Sequence, residues 1–517
     1  MDPAALQILM SRLAGVAAEM GEILRRSAFS PNIKERADCS AAVFTASGEL
    51  LMQAEHIPVH LGSMPASVAA AIAAVGHAEP GQQIILNDPF AGGTHLNDIT
   101  LVAPCYVDGR LAGWVANRAH HADVGGMVPG SMPPAATEIY QEGLRIPPAL
   151  LTAELAAVIE ANSRTPAERR GDIEAQAGAN RVGIERLVEL CAGLDGSWSE
   201  RFAEVLAYGE RRMGAALSEL PDGHWEASDV LDSTGGGGSG PVAIRLGLTL
   251  SGDRALFDFS GTDPQQPGNV NAVRAVTESA VAWALRSATD PTIPANGGAL
   301  RPVVVIAPPG SVVAARPPAA VGAGNVEVSQ RVADVCLMAL AQAAPDRVGA
   351  AGQGTMNNLI LGGRSGWVYY ETIGGGQGGR PGRAGMSGLH TAMTNTRDTP
   401  TEALERTHPV RVLRYRLRQG SGGAGRWPGG EGIERAIQVL EPVTVSMITE
   451  RRVSHPWGVA GGRPGATGEN WLWPGGDESR RVRLGDKVTV ELAAGDAVCL
   501  LTPGGGGWGE PGPPRAP

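Results

Sequence analysis

The stretch from Asn87 to Gly126, NDPFAGGTHLNDITLVAPCYVDGRLAGWVANRAHHADVGG, constrains the fold of this chain more than any other. Ile99 to Val107 and Arg110 to Ala119 are apolar and rich in β-compatible residues, and Asp108-Gly109 between them is a two-residue hairpin signal. An unbroken ladder from that turn predicts Asp98 opposite Ala119 and Asn97 opposite His120. The loop carrying His95 and Asp98 then shares the hairpin's open end with His120, His121 and Asp123. Imidazoles and carboxylates converging from two chain segments form a ligand arrangement for a divalent metal.

An earlier segment repeats the plan. ADCSAAVFTASGELLMQ reads as two short strands about Ser47-Gly48, and their pairing carries Asp38 toward AEHIPVHLGSM. Asp38, His56 and His60 are therefore expected at the open end of this hairpin as well. The strongest candidate ligand set is Asp38, His95, Asp98 and His120, with His121 and Asp123 as outer partners or alternates. Mixed nitrogen and oxygen donors suit Zn, Mn or Fe, and one open position would hold water or substrate. The plainer alternative has the aspartates capping turns and the histidines hydrogen-bonded in the core, because H-x-x-D is a common spacing. Cys39, beside Asp38, is read as a small buried hydrophobe rather than a nucleophile.

Around these hairpins the sequence reads as a mixed α+β chain of several layers. With 517 residues, 43% of them hydrophobic, it has room for a large core and favours two or more domains. Pro3 to Ser27 is an amphipathic helix entered through Asp2, and Glu154 to Leu220 reads as a helical layer. A change of texture at Pro221-Asp222-Gly223 sets the expected division: residues 1–220 carry the metal site, and residues 221–517 form a glycine-rich α/β region. The loop ATEIYQEGLRIPP places Glu138, Glu142 and Arg145 where they would line the mouth of the site. GGGQGG from Gly374 and SGGAG from Ser421 offer runs of N–H groups to an anion, but tight turns and close backbone approaches are the expected use.

Charge narrows the partners. The formal net charge is -10 and no cationic cluster stands out, which argues against nucleic acid and anionic membranes. The first residues lack the pattern of a signal peptide, and no apolar run is read as a membrane span. Five scattered cysteines without C-x-x-C spacing fit a reduced, cytoplasmic protein. Only Lys34 and Lys487 are lysines, and neither is followed by Ser or Thr, so a phosphate-binding loop of the G-x-x-x-x-G-K-[ST] kind is excluded. ATP chemistry, if there is any, would place the nucleotide on another chain.

Taken together, SPNIKERADCS, HIPVHLGSM, NDPFAGGTHLND, ANRAHHADVGG, ATEIYQEGLRIPP, NVEVSQRVADV, ETIGGGQGG, MTNTRDTPTEALE, SGGAGRWPGGEG and TPGGGGWGEP resemble the hydantoinase B/oxoprolinase family over almost the whole chain. The resemblance implies the second subunit of an ATP-dependent cyclic-amide hydrolase, with hydantoins, 5-oxoproline or lactams as substrates. It implies a hydantoinase A type partner that binds ATP, hence a hetero-oligomer, and Asp38, His95, Asp98 and His120 as metal ligands. On this reading the partner phosphorylates the amide oxygen, and the ring opens here with Asp123 or His121 as base. Arg118 and Arg145 would attract the acid or phosphate group. One departure is Ala392 in HTAMTNT, where the family pattern suggests a second histidine. The family also contains ketone carboxylases, which leaves carboxylation and a purely scaffolding role as competing readings.

Overall fold

The computed structural model describes residues 2–512 except Glu55, His56, His77, Asp195, Gly236, Gly237 and Ser239. His56, expected beside Asp38, therefore lies outside the described residues. Pro3–Ser27 is helical, and the Asp2 carboxylate accepts from the Ala5 N–H at 3.3 Å. Its buried stripe of Leu6, Leu9, Leu13, Ala17, Met20 and Leu24 packs against the helix Pro166–Ala192 and the first sheet.

That sheet contains β1 (Cys39–Thr45), β2 (Leu50–Ala54), β3 (Ile84–Leu86), β4 (Asp98–Val107), β5 (Arg110–His120) and β6 (Ala149–Leu150). The strands are antiparallel in the order β2-β1-β5-β4-β3-β6. Alternation sends Ala41, Val43, Ala103 and Val115 to a helical layer built from Pro3–Ser27, Pro166–Ala192 and Trp198–Leu217. Their neighbours Ala42, Phe44, Val102 and Ala116 pack on the opposite face with Met64–Val75. The stretch Pro58–Val75 has a mean hydropathy of 1.4 and is apolar enough to pass for a membrane span, which the sequence reading did not anticipate. It folds as a short turn and a 12-residue helix, far shorter than a bilayer requires.

The β4–β5 hairpin corrects the expected register. A bulge at Cys105 and Tyr106 leaves Ala112 without a partner, because Tyr106 pairs with Leu111 and Cys105 with Gly113. The ladder beyond it is shifted by one, so Asp98 faces His120 and Ile99 faces Ala119. Pairing of β1 with β5 then sets Asp38 beside His120, whose N–H donates to the Asp38 carbonyl at 3.0 Å.

Downstream, β7 (Gly223–Leu231), β8 (Val242–Ser251), β9 (Arg254–Asp258) and β10 (Val303–Ile306) form a second sheet. The helices Arg274–Ala288 and Ser329–Ala343 pack together, and the latter lies against β7 and β8. Nine further strands follow among the described residues: β11 (Asn358–Gly363), β12 (Trp367–Thr372), β13 (Val410–Arg418), β14 (Gly432–Val439), β15 (Val443–Ile448), β16 (Glu469–Trp473), β17 (Val482–Leu484), β18 (Lys487–Leu492) and β19 (Ala497–Leu501). They form two sheets, β12-β11-β15-β18 and β13-β14-β19-β16-β17, sharing one apolar core. The largest core joins Ile57, Leu101 and Leu220 to Phe257, Val332 and Ile448, so apolar packing runs across residue 220.

Between the strands, glycine-rich segments lie backbone to backbone. Gly505 donates to Gly430 O at 2.9 Å, Gly506 to Ala351 O at 2.8 Å and Gly430 to Gln377 O at 2.8 Å. A Cβ on Gly505 would sit 2.1 Å from Gln377 O, closer than any side chain tolerates. In GGGQGG, Gly375, Gly376 and Gly379 spend their N–H groups on carbonyls of the same fold. The runs serve as close backbone approaches, and these donors are unavailable to an anion.

Candidate functional site

The bulge-shifted hairpin and the loop before it bring His95, Asp98 and His120 together. One ligand atom from each lies within 4.8 Å of the others, and all three residues are buried. His95 Nδ1 is 3.2 Å from Asp98 Oδ2, and His120 Nδ1 is 3.4 Å from Asp98 Oδ1. His60, on the turn after β2, brings Nε2 to 3.4 Å from Asp98 Oδ2 while its Nδ1 meets Ser40 Oγ at 2.9 Å. Thr94 Oγ1 donates to Asp98 Oδ2 at 2.8 Å.

These contacts leave donors unused. Among the described residues, both nitrogens of His95, Nε2 of His120 and Oδ1 of Asp98 have no hydrogen-bond partner despite their burial. Unpaired buried polar atoms are costly, and a shared cation would take up one nitrogen each of His95 and His120 and an oxygen of Asp98. The His95, Asp98, His120 cluster is thus able to bind a metal ion, and its residues fit one chemically. Burial pushes the Asp98 carboxyl upward, but His95, His60 and His120 outweigh it and hold the group well below the usual carboxylate range. Burial likewise lowers His120, favouring the neutral imidazole that ligates metals.

Asp98 and His120 border a cavity of about 20 Å³, room for about one water. Asp38 and His60 line it too, together with Asn325, Tyr370, Thr394 and Thr396 from the second half of the chain. Tyr370 stacks on His120, with centroids 4.6 Å apart and planes 17° off parallel. Its hydroxyl donates to Asn358 Oδ1 at 2.8 Å, which fixes the ring. Arg36 spans the same seam, donating to the Tyr370 carbonyl and to Thr372 and Thr396. The cavity shares Ile57 and Thr394 with a larger cleft of about 550 Å³, which is also lined by His390 and Ala392 of HTAMTNT.

Four other expected site residues stand elsewhere. His121 is sent to the opposite face of the sheet by alternation, where Nε2 meets Gln176 Oε1 at 2.9 Å; burial, aided by Arg169, pushes its imidazole down to about 4. The Asp123 carboxylate accepts from the N–H groups of Gly125 and Gly130 in its own loop, and from the N–H and Nη1 (3.0 Å) of Arg164 in the turn before the helix Pro166–Ala192. Arg118 is fully buried and donates to Thr100, Ser63 and Ser67 hydroxyls, with burial lowering it to about 10. Arg145 pairs with Asp88 at 3.3 Å and lies over the Tyr140 ring. Nor does Glu142 line a mouth: it is buried, clamping the N–H groups of Val321 and Gly322.

Comparison with known proteins decides the lineage. The hydantoinase B/oxoprolinase family matches residues 2–511. The chain belongs to this family. Among hydantoinase B/oxoprolinase relatives, an uncharacterized protein of Methanocaldococcus jannaschii is 42% identical over 99% of this chain and 91% of its own length. 5-Oxoprolinase 1 of Arabidopsis thaliana is 39% identical over 98% of this chain, which spans only 42% of that protein. The crystal structure of an ATP-dependent caprolactamase from Pseudomonas jessenii superposes with a TM-score of 0.91 at 28% identity, covering 99% of this chain and 91% of the other. A hydantoinase B/oxoprolinase chain is thereby placed among proteins named for cyclic-amide hydrolysis.

Tyr370 and Asn325 are absent from the set expected from sequence, and His60 is expected beside Asp38 but not among the ligands. His60 had a local signal in HIPVH, four residues after His56. Tyr370 and Asn325 had none, because only the packing of distant elements brings them to His120.

Proposed function

We propose that this chain is the metal-bearing, ring-opening subunit of an ATP-dependent cyclic-amide hydrolase acting on a hydantoin, 5-oxoproline or a lactam. The observation that carries the reading is the buried His95, Asp98, His120 cluster with its unpartnered donors, set beside a cleft of about 550 Å³. Asp38, on the wall of the same cavity, is the proposed further ligand. When bound, an ion of Zn, Mn or Fe would supply Lewis acidity and a water of lowered pKa.

An amide resists water because resonance feeds its carbonyl, so phosphorylation of the oxygen is the activating step. A hydantoinase A type partner would perform it with ATP, consistent with a chain that has two lysines and no phosphate-binding loop. The caprolactamase is named as ATP-dependent, and the Arabidopsis 5-oxoprolinase carries the matching region within a much longer chain. Here the cleft would seat the ring. His120 is held in orientation by Tyr370, and His60 by Ser40. His60 lines the chamber without being a proposed ligand, so the proton-transfer role first read for Asp123 or His121 passes to it.

The test is metal analysis joined to turnover in the complex reconstituted with its partner. About one ion per chain is expected, as in a catalytic site with three or four protein ligands. His95→Ala should empty the site and abolish ring opening while leaving the complex assembled. A metal-free wild type, or a fully active His95→Ala variant, would overturn the reading. Bicarbonate-dependent ATP turnover with a ketone would replace it by carboxylation.

A further inference from the structure

Gln53 lies near the end of β2, is only 4% exposed, and lines the cleft of about 550 Å³. Neither its Nε2 nor its Oε1 has a hydrogen-bond partner among the described residues. A whole carboxamide left unpaired in a fold that satisfies most of its buried polar groups is a feature that calls for a ligand. Two further unpartnered atoms, His390 Nδ1 and Thr391 Oγ1, lie on residues of the same cleft. The cleft adjoins the metal chamber through Ile57 and Thr394.

A primary carboxamide presents one acceptor and one donor side by side. A small ring forces its amide to be cis, so the ring's C=O and N–H also lie on one edge. Open-chain secondary amides are trans and direct the two groups to opposite sides. The two edges that match are therefore the Gln53 carboxamide and a cyclic secondary amide, joined by two parallel hydrogen bonds.

We propose that Gln53 is the specificity group of the cleft and reads the cis-amide edge of a ring substrate, Nε2 donating to the ring carbonyl and Oε1 accepting from the ring N–H. This rests on the cyclic-amide reading above. Trp283 on the cleft wall gives the apolar part of the ring a surface to pack against.

The reconstituted complex is assayed with 5-oxoproline, hydantoin and caprolactam, and with the N-methyl analogue of whichever ring is opened. Wild type and Gln53→Met are compared, the methionine keeping the volume without the two hydrogen bonds. Melting temperature and metal content confirm that the variant is folded and loaded. The expected result is a KM raised about tenfold or more with kcat changed less. Wild type is expected to prefer N–H over N-methyl rings by about a hundredfold or more, and that preference should collapse in Gln53→Met. Gln53→Asn, which keeps the carboxamide one methylene short, should restore part of that preference. Ring opening with unchanged KM and unchanged preference in Gln53→Met overturns the role of Gln53 and leaves the cyclic-amide reading standing. Failure of the wild-type complex to open any ring amide overturns that reading and the assignment of Gln53 together.

Discussion

Asp123 and His120 stand three positions apart on one motif, an outer carboxylate and a ligand imidazole on the sequence reading. Their fates differ because one ends a strand and the other opens a loop. His120 closes β5 and turns toward Asp98, whereas Asp123 is taken up by four hydrogen bonds from Gly125, Gly130 and Arg164. Asp123→Ala should therefore cost about 2–4 kcal/mol of stability, by leaving Arg164 and loop N–H groups without their acceptor. Thermal melting would register that loss while metal content stays at the wild-type level. Loss of the ion from a normally melting Asp123→Ala protein would instead restore Asp123 to the site. Arg118 differs again: with three hydroxyl partners and no exposure it ties β5 to the helix Met64–Val75, and it does not face the cavity in this conformation.

Helices and strands were mostly legible from their periodicity. The helix Pro3–Ser27 with its Asp2 cap, the two long hairpin strands and the helical layer up to Leu217 follow local patterns that survive packing. The bulge did not, since CYVDGRLAG contains nothing that marks Ala112 as unpaired, yet it decides which residue faces Asp98. The glycine runs were legible as close approaches but not in their partners. Gly505→Ala would place a methyl 2.1 Å from Gln377 O, and should destabilise by about 2 kcal/mol or more, or prevent folding. Gly485→Ala, where a Cβ meets nothing within 4 Å, should stay within about 0.5 kcal/mol of wild type in the same denaturant titration. Equal effects of the two changes would contradict the backbone-stacking account.

Across the whole molecule, the two halves of the chain share both the core and the chamber. Residues 1–220 hold the four proposed ligands, but Asn325, Tyr370, Thr394 and Thr396 supply much of the chamber wall. A division near Leu220 is thus best proposed as a change of sheet, since the first sheet lies upstream of it and the other three downstream. A fragment of residues 1–220 should bind its ion at least tenfold more weakly than the full chain, because the ring that orients His120 is missing. Equilibrium dialysis against a metal buffer measures this directly, and equal affinity would make the upstream half self-sufficient. What the sequence alone determined is a grouping: His95, Asp98 and His120 reach the open end of one hairpin, and neither Lys34 nor Lys487 stands in a G-x-x-x-x-G-K-[ST] loop. Only the tertiary structure decided which face each side chain takes, that Tyr370 backs His120, and that Gln53 finds no partner among the described residues beside the site. Those outcomes depend on a one-residue bulge and on contacts hundreds of residues apart, and neither has a signature in local sequence.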